Sequence, residues 1–203
     1  MAESLTAADR GAFVALVRRL VPFDDAAAAP IFEAARARTL ARGEQFLHAG
    51  DRAVTTGVMV TGVMREYFPL ADGREVTRNF AGPGDGIGSL SDLISGEPSK
   101  SAIVAETDAR VVTMPWQVLR GEAERNPTVA AFLARTTELL YLLKARREYE
   151  LLALDAEARY VAFRARFAKL EDQIQLKQVA SYVGITPEHL SRLRRRLAGE
   201  PRE

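Results

Sequence analysis

Residues 172–197 read DQIQLKQVASYVGITPEHLSRLRRRL, and their spacing decides how the rest of the chain is read. Ala180, Gly184, Ile185, Leu190 and Leu193 fall where two short helices joined by a tight turn need them. The small Ala180 lets the helices approach closely, and Gly184 can take the positive φ that ends the first helix. Ile185 plugs the turn. Thr186 is a good N-cap, and Pro187 suits the first helical turn, where a missing N–H costs nothing. Leu190, Leu193 and Leu197 recur at three and four, so they share one face of the second helix. Glu188 and Arg192 lie four apart on another face. Thr186 and His189 stand beside them near the N-terminus, where a major-groove reader reaches base edges. Arg192 suits guanine O6 and N7, and Glu188 suits cytosine N4. Arg194, Arg195 and Arg196 suit phosphates. The same residues also fit a solvated basic helix end that complements the helix dipole.

Working outward, the 203 residues allow one large or two modest domains, and 47% hydrophobic residues suffice for a packed core. The net charge is only +1, but from Arg159 onward Arg and Lys outnumber Asp and Glu. Any nucleic-acid surface is therefore localised to the C-terminal part. With no cysteine and two histidines, His48 and His189, the chain has no disulfide, no thiol-ligated cluster and no His-rich metal site. We expect no metal. No apolar run reaches the roughly 18 residues of a membrane span, and no signal-peptide pattern opens the chain, so a cytoplasmic protein without membrane contact is expected.

Upstream, residues 4–20 have an amphipathic helix pattern with Phe13, Leu16, Val17 and Leu20 on one face and Thr6 or Ser4 as cap. A second helix opens at Asp24 or Asp25, with Pro30 giving its firm start or a kink. From Thr39 to Met114, short apolar runs alternate with Gly-containing turns, and Asp72-Gly73 is a hairpin signal. Many short strands of even spacing predict a compact antiparallel barrel or jelly roll; a generic β-sandwich fits too. Glu66 and Glu75 read as surface charges of the hairpin. From Pro127 to about Leu154 one long helix is expected. Val129, Phe132, Leu133, Thr136, Leu139, Leu140 and Leu143 form its near-heptad stripe, and Tyr141 and Leu142 add a second apolar face. Two apolar faces call for two partners, the chain's own β-structure and a second copy, unless the helix is buried wholly within a monomer. Asp155 caps the next helix, with Tyr160, Phe163 and Phe167 inward.

This order of parts resembles the Crp/Fnr family of bacterial transcription regulators over nearly the whole chain. The resemblance is carried by EARYVAFRARF (157–167) with residues 174–197, by FLHAGD (46–51), and by PGDGIGSL (83–90) followed by SKSAIVAETDARVVTM (99–114). It implies an α+β fold. An N-terminal antiparallel, cyclic-nucleotide-binding-like β-roll with helices takes 1–126, a dimerisation helix 127–154, and a helix-turn-helix unit 155–203. It implies a homodimeric regulator that binds double-stranded DNA at a palindromic site, with RNA polymerase as a further partner and no enzymatic activity. Two departures matter. Only AGEPRE follows Leu197, so a wing of normal size is not expected. The family's cyclic AMP cassette has Gly-Glu-Leu and Arg-Ser/Thr-Ala, where this chain has Gly88-Ser89-Leu90 and Lys100-Ser101-Ala102. Lys offers a point charge in place of a bidentate donor. A small anionic effector would then sit by Gly86, Gly88, Ser89, Lys100 and Ser101, and a cyclic nucleotide is not favoured; no other cofactor is expected. The alternative reading is a ligand-binding or protein-interaction module of the same fold that does not bind DNA.

Overall fold

The computed structural model describes residues 2–23 and 25–198. Asp24, one of the two candidate caps, and the residues after Ala198, on which the expectation that no wing of normal size follows partly rests, lie outside the described residues. Helices α1 (Ala7–Arg18) and α2 (Asp25–Ala34) open the chain. Thr6 caps α1 by accepting from the Asp9 N–H, while the Asp9 carboxylate accepts from the Thr6 N–H. Helix α2 starts five residues before Pro30 and runs through it, so Pro30 does not mark its start.

The β-roll consists of two antiparallel sheets. Strands β1 (Ala2–Glu3), β2 (Arg36–Leu40), β9 (Ala109–Pro115), β4 (Thr55–Thr61) and β7 (Gly86–Ile87) form the first in that spatial order. Strands β3 (Gln45–Leu47), β8 (Ala102–Ala105), β5 (Met64–Pro69) and β6 (Glu75–Ala81) form the second. The Asp72-Gly73 turn joins β5 to β6, as its residues require. Between the sheets lie Leu40, Met59, Met64, Ile103 and Val111. The outer face of the first sheet packs on α1, α2, α4 (Trp116–Arg125) and the start of α5 (Pro127–Ala153), through Phe13, Val17, Ile31, Val112, Trp116 and Phe132. Asp9 is wholly buried on this side and is gripped by Arg110 of β9, Nε at 2.8 Å and Nη2 at 2.9 Å.

Helix α5 follows Asn126, whose side chain accepts from the Thr128 and Val129 N–H groups. Its 27 residues span about 40 Å. One face belongs to its own chain. Val129 and Phe132 pack on the β-roll, while Arg147 and Glu150 lie under the C-terminal helices. The opposite face, Ala131, Ala134, Glu138, Leu142, Ala145, Tyr149 and Leu152, recurs at three and four and is exposed. Leu142 is 63%, Tyr149 61% and Leu152 81% exposed. The stripe expected from the sequence is thus divided: Val129 and Phe132 are buried and Leu133, Thr136 and Leu143 half-buried, whereas Leu139, Leu140, Tyr141 and Leu142 are exposed, so the uncovered apolar surface runs from Leu139 to Leu152.

Helices α6 (Ala156–Phe167), α7 (Leu176–Val183) and α8 (Pro187–Leu197) follow. Asp155 caps α6 through the Ala158 N–H. Tyr160, Phe163, Phe167, Val179, Ala180, Tyr182, Leu190 and Leu193 share one core, which Val63 and Phe80 of the β-roll enter. The C-terminal helices therefore pack directly on the second sheet.

Candidate nucleic-acid interface and β-roll cleft

The turn between α7 and α8 is built as its residues dictate. Gly184 takes φ +80°, and its N–H and that of Ile185 both donate to the Ala180 carbonyl. The Thr186 hydroxyl accepts from the His189 N–H. Leu190 and Leu193 are buried, whereas Leu197, on the same face by its spacing, is 39% exposed at the end of the helix.

Helix α8 turns its other side to solvent. Glu188, Arg192 and Arg195 are exposed and, with Ser191, line one shallow surface that also includes Leu176 and Pro187. The spacing 188, 191, 192, 195 is a single helical face. Among the described residues, Arg192 and Arg195 make no hydrogen bond or close ion pair. The Glu188 carboxyl is held below its ordinary value, first by its own backbone N–H, then by the Thr186 hydroxyl and the Arg192 charge. Thr186 and His189 are exposed at the N-terminal end of this face. Arg194 and Arg196 are used differently. Arg194 donates to the Tyr160 hydroxyl at 2.9 Å and to Glu171 at 2.6 Å, and its guanidinium lies over the Tyr160 ring. Arg196 pairs with Glu157. Of the seven expected contact residues, five thus share the open end of α8, and two are tied back to α6 and the segment after it. Ser191 belongs to the open face although it carries no charge to mark it in the sequence.

The second candidate site is the cleft of the β-roll. Gly86 pairs with Val58 and Ile87 with Gly57 as strand β7, so the glycine turn lies partly within a ladder. Gly88 adopts φ +131° against Thr55 and Thr56. Ser89 is buried at the start of α3 (Leu90–Ser95), with its hydroxyl 3.4 Å from that of Ser91. Lys100 is exposed and, among the described residues, has no ion pair. Ser101 is buried, and its hydroxyl donates to Glu66 Oε1 at 2.9 Å. The same oxygen accepts from Arg78 Nη1 at 2.6 Å. Ser99 Oγ lies 2.5 Å from Asp92 Oδ2 and 3.5 Å from Ser101 Oγ. Burial pushes the Glu66 carboxyl above its ordinary value against the pull of Arg78 and Ser101, and Asp92 pushes the same way. The Glu66 side chain is 13% exposed, so it is not the surface charge that its position in the hairpin suggested. Glu75 is also engaged: it pairs with Arg65, a nearly buried residue that Glu106 holds from the other side at 2.5 Å.

Residues 37–126 match the family model of the cyclic nucleotide-binding domain. The match covers strands β2 to β9 together with α3 and α4, and it ends where α5 begins. No curated protein matches the chain. Solved structures do. The FixK2 protein of Bradyrhizobium japonicum is 23% identical at a TM-score of 0.70, over 81% of this chain and 85% of that one. CLP of Xanthomonas campestris, described as a c-di-GMP-responsive global regulator, is 16% identical at 0.70 over 89% and 96%. The catabolite activator protein of Thermus thermophilus is 22% identical at 0.55 over 91% and 87%. At these identities the likeness is one of fold. The α+β architecture, a cyclic nucleotide-binding β-roll followed by C-terminal helices, is that of these regulators. The family's phosphate position at Ser101 is already engaged here by the chain's own Glu66. A nucleotide phosphate at Ser101 would meet the carboxylate of Glu66, with Asp92 close by, and Lys100 stands outside the cluster.

Proposed function

We propose that this protein is a DNA-binding transcription regulator that acts as a homodimer on a palindromic site. The observation that carries the reading is the open face of α8: Glu188, Ser191, Arg192 and Arg195 on one side of a capped helix, with two guanidinium groups that make no hydrogen bond among the described residues. In the proposed complex, Arg192 and Glu188 read base edges, Thr186 and His189 lie at the groove end of the helix, and Arg195 contacts a phosphate. Arg196 exchanges a surface pair, of little stabilising worth, for a phosphate. Arg194 holds α8 against α6 and acts on DNA only through that placement. Residues 1–126 serve as the sensor part, 127–154 as the dimerisation helix and 155–203 as the DNA-binding part. The exposed stripe of α5 favours a second copy as its partner, because seven positions at three–four spacing match the seam of a parallel helix pair. RNA polymerase is the natural further partner of such a regulator.

Selection of bound DNA from a random pool tests the reading: an enriched palindrome with half-sites about one helical turn apart supports it, and no enrichment above background sinks it. On the selected site, Arg192→Ala should cost about 1–3 kcal/mol and relax one base position. Arg195→Ala should weaken all sequences alike and shallow the salt dependence. Gel shifts at two salt concentrations measure both. Equal losses on specific and random DNA for Arg192→Ala would reassign Arg192 to a phosphate.

Neither cyclic AMP nor cyclic GMP is needed for binding in this reading. Titration calorimetry should show no heat of binding for either at micromolar concentration, in wild type or in Lys100→Ala. A micromolar dissociation constant for either nucleotide would show that the Glu66 cluster yields to a ligand.

A further inference from the structure

The paired strands β5 and β6 carry an irregularity that places Glu66. Glu66 lies opposite Asn79, but Tyr67 lies opposite Thr77, so Arg78 is the extra residue of a β-bulge. A bulge re-aims its side chain, and Arg78 turns to Glu66, which also takes the Ser101 hydroxyl. These two donors are thereby spent on a carboxylate from the chain itself.

The residues on either side of the bulge hold the C-terminal helices. The Thr77 N–H donates to Ser181 Oγ of α7 at 2.9 Å, and that hydroxyl donates to the Glu75 carbonyl at 2.9 Å. The Asn79 side-chain oxygen accepts from Arg166 of α6 at 3.1 Å. Phe80 follows, within 5.6–6.1 Å of the rings of Phe163, Phe167 and Tyr182. The Arg78 side chain thus engages Glu66, to which Ser101 also donates, while its two neighbours grip α6 and α7.

We propose that Glu66 is a built-in anion that stands in for an effector: by holding Arg78 and Ser101 it fixes the bulge of β6 and so keeps α7 latched to the β-roll without any ligand. Glu66 is then a standing occupant of the cleft, and the coupling of β-roll to C-terminal helices is set at synthesis. Its importance for regulation rests on α7 and α8 being the DNA-binding unit, but the latch is measurable without DNA.

Hydrogen–deuterium exchange of the full chain, read by mass spectrometry, is the test. In Glu66→Gln and in Arg78→Gln, exchange across α7 and across residues 75–81 should rise by about tenfold, while α1 keeps its wild-type protection. The double variant should go no further than either single one, because the two residues act as a pair. Unchanged protection of α7 in both single variants would overturn the latch. So would a rise shared equally by α1, which would mean general destabilisation. A wild-type protein that fails to select DNA would remove the proposed function and leave the exchange result standing.

Discussion

A chain carrying Leu142→Glu together with Leu152→Glu should run as a monomer, where the wild type is expected to run as a dimer at micromolar concentration. Both leucines lie on the face of α5 that turns away from the chain's own core. Burying each in a helix–helix seam is worth about 1.5–3 kcal/mol, and in a symmetric dimer each counts twice. Their loss alone weakens association by at least about four orders of magnitude, since 1.4 kcal/mol is about tenfold. Four carboxylates in the seam add repulsion and desolvation. The intramolecular fold should survive, because neither position packs on the β-roll. Leu143 would be a poor choice for the same test: it leans on the chain's own side of α5, and a charge there would confound dissociation with unfolding. Light scattering decides. A wild type that is already monomeric, or a double variant that is still dimeric, would move the interface elsewhere.

Arg110→Ala should be among the most destabilising single substitutions in the β-roll, at about 3–5 kcal/mol, because it strands a fully buried carboxylate. In the wild type, the Arg110 hydrogen bonds, with help from Thr6, hold the Asp9 carboxyl far below the usual range. A depressed folded value means stabilisation that is present above the unfolded value of about 3.9 and is lost as pH falls toward the folded one. In the variant the sign reverses. Burial without a partner favours the neutral acid, so the deficit should be largest at neutral pH and shrink below about pH 4. Adding Asp9→Asn should recover part of the loss, and the two changes will be non-additive. Urea denaturation at pH 7 and pH 4 measures all of this. A loss below about 1 kcal/mol at pH 7 would make the pair an ordinary surface bridge.

Most of the C-terminal architecture was legible because local signals and tertiary packing agree there. Thr186, Pro187 and Gly184 fix the ends of α7 and α8, and Leu190 and Leu193 fall inward as their period demands. Asp72-Gly73 likewise announced the β5–β6 hairpin. What escaped depends on contacts between distant residues. A single Glu in an alternating strand reads as a solvent-facing charge; Glu66 is buried because Arg78, 12 residues away, and Ser101, 35 away, converge on it. The convergence needs a bulge, and the short polar sequence EVTRNFA does not show where the alternation breaks. The apolar faces of α5 were visible, but which one turns inward is decided by where the β-roll and α7 lie. Arg194 differs from Arg195 only in its position around α8: Tyr160 and Glu171 stand on one side of the helix and solvent on the other.

Strand β6 is the open edge of its sheet until α7 arrives, and Ser181 is 104 residues downstream of the Thr77 it covers. At about 5–20 residues per second of synthesis, the gap is roughly 5–20 seconds. For that interval the nascent chain presents unpaired backbone to any other extended segment nearby, the situation in which strands add to strands and chains clump. The sequence of β6, EVTRNFA, has no run of apolar residues and carries Glu75 and Arg78. The charges that later grip Arg65 and Glu66 are, earlier in the life of the molecule, what keeps that edge from recruiting a neighbour.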